Sequence, residues 1–185
     1  MLTRGGAARR TFTRRAVLKT SAAALIGWGA ARAALAQPGE LLVGAQAPMA
    51  TLVTLDGKRI STTELRGHIV ILTFWATWCS PCRDELPLLS QYVAEHGAAG
   101  LRVLGFSLDT PDEVREVRRI AQSLRFPVGL LANSSAAGYG RIWRLPVNFT
   151  IDRAGVLIDD GWKDKKPSWT PERLERIVTP LLAAQ

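Results

Sequence analysis

An α/β sandwich, a central sheet with helices packed on it, is the fold class that this chain predicts. Three observations carry the prediction. His68 to Trp75 and Arg102 to Ser107 are nearly continuous apolar and β-branched runs, the pattern of strands covered on both faces. Stretches with apolar residues at helical spacing lie between and after them, so strands and helices alternate along the chain. Finally, 185 residues with 47% hydrophobic content suffice for one domain with a real core plus a short appendage, which excludes a disordered or fibrous protein.

Residues 1–36 form the appendage. Arg4, Arg9, Arg10, Arg14, Arg15, Lys19 and Arg32 all precede Gln37, with no acidic residue among them. Removing these seven from the 24 basic residues leaves 17 against 16 acids, so a chain of formal charge +8 reduces to +1 beyond the leader. The basic excess belongs to the leader, and nucleic-acid binding loses its main support. A basic stretch to Lys19, an apolar stretch Thr20–Ala31 and the small-residue ending Ala34-Leu35-Ala36 have the layout of an export signal cleaved after about Ala36. The apolar stretch stops at Arg32, short of the roughly 20 residues a spanning helix needs, so an uncleaved anchor ranks second. Residues 37–42 read as a linker and 43–185 as the folded domain.

Within the domain, Thr51–Leu55 and Arg59–Ile60 flank Asp56-Gly57, a turn signal that predicts a hairpin. Ser61-Thr62-Thr63-Glu64 has capping-box spacing and predicts one helical turn. After the strand ending at Trp75, Ser80 to about Glu95 predicts a helix, with Pro81 in its first turn, Leu86, Leu89 and Val93 on one face, and a kink at Pro87. Thr110-Pro111-Asp112-Glu113 opens another helix, carrying Val114, Val117, Ile120, Ala121 and Leu124 to near Phe126-Pro127. Val128–Leu131 predicts a strand and Ser135–Trp143 a short helical segment. Val147–Ile151 and Val156–Asp159 predict two strands turning at Asp152–Gly155. Thr170-Pro171 caps a last helix with Leu174, Ile177, Val178, Leu181 and Leu182.

Cys79 and Cys82 are the only cysteines, held two residues apart at the start of the first long helix. They are open to three readings. A structural staple closing so short a loop removes only about 2 kcal/mol of unfolded-state freedom, the least useful of the three. A structural zinc normally takes four ligands, and beyond the pair the chain has only His68 and His96, neither at ligand spacing and both better placed at the surface. A redox dithiol has a physical cause, because a strand running directly into a helix sets Cys79 at the helix N-terminus, where free N–H groups and the dipole favour a thiolate. Cys82, one turn further in, is then the more buried, resolving thiol, and the cycle runs through a mixed disulfide. Glu85 follows Cys82 by three residues and shares its helix face, as a partly buried manager of the Cys82 proton or as a solvent-facing first-turn acid. Trp78 is assigned to the partner-binding surface and Trp75 to the core, while Trp143, Trp162 and Trp169 read as core or surface packing.

The run F-W-A-T-W-C-S-P-C-R-D-E-L-P, with Leu145-Pro146 and Phe149-Thr150-Ile151-Asp152 further on, resembles the active-site sequence of the thioredoxin superfamily, and particularly of the exported TlpA/ResA-like thiol–disulfide oxidoreductases with a redoxin (AhpC/TSA-like) domain. The resemblance covers about Val43 to Leu182. It implies a thioredoxin fold: a central mixed sheet flanked by helices, with an N-terminal hairpin and a helix-strand insertion over about Asp109–Leu131. It implies a working Cys79–Cys82 disulfide, and a substrate-binding surface built from Trp78, Pro81, Leu145 and a cis Pro146 facing the disulfide. Ordinary thioredoxins carry a buried aspartate where this chain has Thr73, and TlpA/ResA-like proteins have a glutamate at Glu85 that influences the cysteines' acid–base behaviour. Thr13-Arg14-Arg15-Ala16-Val17-Leu18-Lys19 resembles a twin-arginine export signal.

The function implied is that of a periplasmic, monomeric reductase of protein disulfides, needing no metal or organic cofactor. Its clients would be apocytochrome c or copper-site proteins, and its electrons would come from a membrane thiol transporter. Ser80-Pro81 lacks the histidine of strongly oxidising relatives, which favours reduction as the direction. A copper chaperone using the dithiol as soft ligands and a peroxiredoxin-like peroxidase are the competing readings.

Overall fold

The structure, a computed structural model, describes residues 41–184. The predicted leader and residues 37–40 of the linker lie outside the described residues. Among the described residues, seven strands, four α-helices and three short 3₁₀ turns follow in order. Strands β1 (Thr51–Val53) and β2 (Arg59–Ser61) form the predicted antiparallel hairpin. The main sheet takes β3 (Ile69–Trp75), β4 (Leu101–Ser107), β5 (Val128–Leu130), β6 (Val147–Ile151) and β7 (Leu157–Asp160) in the order β5-β4-β3-β6-β7. It is mixed: β3, β4 and β5 run parallel, whereas β6 is antiparallel to β3 and β7 to β6.

Every residue of β3 is buried, as its unbroken apolar run requires of a strand covered on both faces. Successive side chains point to opposite faces, so Ile69, Ile71 and Trp75 join one core cluster and Val70, Leu72 and Phe74 the other. Thr73 shares the face of Ile71 and Trp75 by the same alternation. That face is covered by α1 (Ser80–His96) through Leu86 and Leu89, α2 (Val114–Ala121) through Val117, and α3 (Pro171–Ile177) through Leu174. The second face, to which Phe149 of β6 and Leu157 of β7 also belong, is covered by hairpin residue Leu52 and by Tyr139. Phe74 stacks on Phe106 there at 5.0 Å and meets Phe149 edge-on at 5.9 Å.

Three local expectations are corrected. Glu64 accepts from the Ser61 N–H at 3.0 Å, as in a capping box, but the chain makes consecutive tight turns to Gly67 and enters β3 without a helix; four residues are too few to repay nucleation. Within Ser135–Trp143 only Ala137–Tyr139 is helical, a 3₁₀ turn ended by Gly140 at φ 82°. The last helix divides into α3 and α4 (Thr179–Ala183), because Pro180 has no N–H to give the Arg176 carbonyl and its ring crowds that oxygen. In contrast, α1 continues through Pro87 to His96. Both histidines are half-buried, and His96 packs on Tyr92 at 4.3 Å, at the end of α1 opposite the cysteines.

The hairpin is seated on β5, where the Leu55 N–H donates to the Val128 carbonyl at 2.9 Å. Gly129 faces the Val53 carbonyl so closely that a Cβ would collide with main chain, which cannot swing aside as a side chain can. Gly129→Ala is therefore expected to cost roughly 1–3 kcal/mol by overpacking. Urea unfolding measures it, and an unshifted midpoint would show that the hairpin does not rest on β5.

Candidate active site

The site begins at the C-terminal ends of β3 and β4, which parallel pairing sets side by side with Trp75 opposite Ser107. The loops leaving them must therefore meet. Asp109 is buried and holds the loop ahead of the cysteines: it accepts from the Thr77 N–H at 3.0 Å, the Thr77 hydroxyl at 2.6 Å and the Ser107 hydroxyl at 2.6 Å. A carboxylate taking three donors stays fixed, and so does Thr77, two residues before Cys79.

Cys79 then serves as N-cap of α1, with extended backbone (φ −88°, ψ 101°) and Pro81 in the first turn. Its Sγ accepts from the Cys82 N–H at 3.3 Å, so a free N–H of the helix start is aimed at the sulfur. Cys79 and Cys82 are joined by a disulfide, with S–S 2.04 Å. Cys82 is fully buried and Cys79 is 5% exposed, so attack from solvent is open to Cys79 alone.

One turn beyond Cys82 on α1 lies Glu85, 2% exposed rather than partly buried. Thr73 and Asn148 are register partners on β3 and β6, and both reach it: the Thr73 hydroxyl donates at 3.2 Å, and the Asn148 amide lies 3.3 Å from each carboxyl oxygen. The Trp169 N–H completes the set at 2.8 Å. Burial pushes the Glu85 carboxyl up to about 7, against the pull of the Trp169, Asn148 and Thr73 hydrogen bonds and the Arg173 cation, all of which favour the charged form. The carboxyl is thus poised to gain or lose a proton near neutrality.

The Leu145–Pro146 peptide bond is cis. Leu145 lines one recess of about 370 Å³ with Trp78, Cys79, Ser80 and Pro81, while Pro146 and Pro81 line a neighbouring recess of about 840 Å³. Every predicted site residue therefore lies at or beneath one surface. Trp78 is 65% exposed at the rim and Trp75 is buried in the core. Trp169 is buried, but Trp143 stands 72% exposed beside Cys79 in the smaller recess.

Sequence reasoning missed Asp109 and Asn148, and left Trp143 open between core and surface. Asn148 was visible as a lone amide inside an apolar strand, V-N-F-T-I, where an unpaired polar group is costly. Asp109 carries no local signal, since its partners are chosen by the pairing of two strands.

Residues 43–159 match the family model described as AhpC/TSA family. Among curated relatives, the thiol–disulfide oxidoreductase ResA of Bacillus thuringiensis (strain Al Hakam) is 28% identical over 120 residues, covering 65% of this chain and 69% of the relative. The thioredoxin-like protein YneN of Bacillus subtilis (strain 168) is 34% identical over 119 residues, 63% of this chain and 69% of its own. Among solved structures, one assigned as a thiol:disulfide interchange protein DsbE from Chlorobium tepidum superposes with TM-score 0.61 at 25% identity, covering 77% of this chain and 99% of that one.

The raised Glu85 pKa has a stability consequence. Between its ordinary value of 4.5 and about 7 the folded state holds a proton that the unfolded state releases, so stability falls as pH rises through this window. Relative to Glu85→Gln, which does not titrate, wild type should lose about 3 kcal/mol between pH 4.5 and 8. Urea midpoints of both proteins across that range measure the difference, and a pH-independent gap would show that Glu85 is ionised at an ordinary pKa.

Proposed function

We propose, for a chain that belongs to the AhpC/TSA family and is a thiol–disulfide oxidoreductase of the ResA/DsbE type, that it works outside the cytoplasm as a reductase of protein disulfides. The observation that carries the mechanism is a disulfide at a helix N-terminus with a buried, proton-poised carboxyl one turn further along. In the reduced protein, the Cys79 thiolate attacks one sulfur of a client disulfide, forming a mixed disulfide and releasing the client's other sulfur as thiolate. Cys82 gives its proton to Glu85, and the resulting thiolate attacks Cys79. The mixed disulfide breaks, the second client sulfur leaves as thiolate, and two electrons have passed from the dithiol to the client. The chain is left with the Cys79–Cys82 disulfide described above, which a dithiol donor, a membrane thiol transporter, must reduce again.

Each site residue has a place in this cycle. The Cys82 N–H aimed at Cys79 Sγ favours the thiolate, and Pro81 presets the turn that aims it. Thr73 cannot itself take a proton, but its hydroxyl holds the carboxyl that does. Trp78 and Leu145 flank the sulfur that a client must reach, with Pro146 next in the chain, so a client strand running past Cys79 meets all three. The leader with its paired arginines, Arg14 and Arg15, supports export to the periplasm through the twin-arginine route, and disulfide clients such as apocytochrome c or copper-site proteins suit that compartment.

Two measurements test the reading. The purified protein should reduce insulin disulfides, with Cys79→Ala inactive and Cys82→Ala accumulating a mixed disulfide; a Cys82→Ala protein that traps no client would sink protein-disulfide exchange. Glu85→Gln should slow resolution roughly 10²-fold at neutral pH and lack the inflection expected of wild type near pH 7. A variant with an unchanged rate and profile would take Glu85 out of the proton path.

A further inference from the structure

The recess beside Cys79 is neither uniformly apolar nor closed. Trp143 forms one wall, and its indole stacks on Trp162 at 5.6 Å with the rings 11° from parallel. Trp162 is itself pinned by its Nε1–H donating to the Tyr139 carbonyl at 2.7 Å. An indole fixed in this way, yet 72% exposed, contributes little to the core and presents a rigid apolar face to solvent. Trp78, 65% exposed, stands at the same recess.

Past Pro81 and Leu145 the surface continues into the larger recess, lined by Arg144, Lys165, Lys166, Arg173 and Arg176 with Asp164 as its one acid. Arg173 is neutralised by Asp159 at 2.7 Å and Asp164 at 3.4 Å. Among the described residues, the other four cations have no carboxylate at ion-pair distance, and Arg144 Nη2 donates to the main-chain carbonyls of Gly161, Trp162 and Asp164. Five cations against one acid line this recess, which adjoins the recess at Cys79 through Pro81 and Leu145.

We propose that this continuous surface seats an extended client segment bearing acidic side chains next to its disulfide, with an apolar side chain against Trp143 and carboxylates over Lys165, Lys166 and Arg176. The inference rests on the reductase reading and specifies its substrate class. Positive potential raises the encounter rate of an acidic segment and disfavours a basic one, while the indoles supply contact area without regard to charge.

The test uses the reduced, full domain and two synthetic peptides of equal length, each with one internal disulfide, flanked by Asp and Glu in one and by Lys in the other. The acidic peptide should be reduced about tenfold faster at low ionic strength. The ratio should fall towards one in 1 M salt, where the Debye length is about 3 Å, and should invert in the Lys165→Glu/Lys166→Glu/Arg176→Glu protein. Trp143→Ala should raise KM for both peptides about tenfold without changing their ratio. A wild-type ratio near one, or a ratio indifferent to salt and charge reversal, overturns the acidic client; an unchanged KM in Trp143→Ala removes the indole from the surface. Failure to reduce either peptide or insulin counts against the reductase reading instead.

Discussion

The constraint on which the site depends is a carboxyl group shut away from water. Glu85 is held by β3 through Thr73, by β6 through Asn148 and by the segment before α3 through the Trp169 N–H. Three parts of the chain far apart in sequence thus converge on one side chain of α1. Burying a carboxyl is costly, and the fold offsets the cost with donors instead of a direct ion pair. Donors that favour charge and burial that opposes it leave the two protonation states nearly equal in energy. A salt bridge at this position would have fixed the carboxyl as an anion and removed its capacity to exchange protons.

Arg173 extends the same arrangement outward. It is 3% exposed, lies over the Trp169 ring at 4.5 Å and pairs with Asp159 on β7 and with Asp164 beyond it. The buried cation therefore joins the edge of the sheet to the segment that donates to Glu85. Its charge also lowers the Glu85 pKa, so the structural tie and the proton balance are coupled through one residue.

Much of this was legible in the sequence. The unbroken apolar run of β3 specifies a strand covered on both faces, and a strand running into S-P-C specifies a sulfur at a helix start; neither depends on distant partners. Glu85 was legible as a residue sharing the Cys82 face, because helical spacing is local. Its full burial was not, since that depends on Asn148 and Trp169, which only the sheet register and the path before α3 bring to it. The division of the last helix was available in principle from Pro180. Trp143 illustrates the opposite limit: the sequence leaves it open between core and surface, and only the stack on Trp162 shows how it is held outside.

Asp109 fixes the loop before Cys79 from the first residue of the segment that carries α2 and β5. Downstream of that clamp, Val117 of α2 and Val128 and Leu130 of β5 join the core cluster that holds the cysteines, while Asp109 alone of this segment bonds the loop before Cys79. The arrangement implies modularity of the outward face: the exposed side chains of α2 could be exchanged for a different assembly while Val117 keeps the core and Asp109 keeps the nucleophile's aim. A lineage could change the company this enzyme keeps without relearning how to exchange electrons.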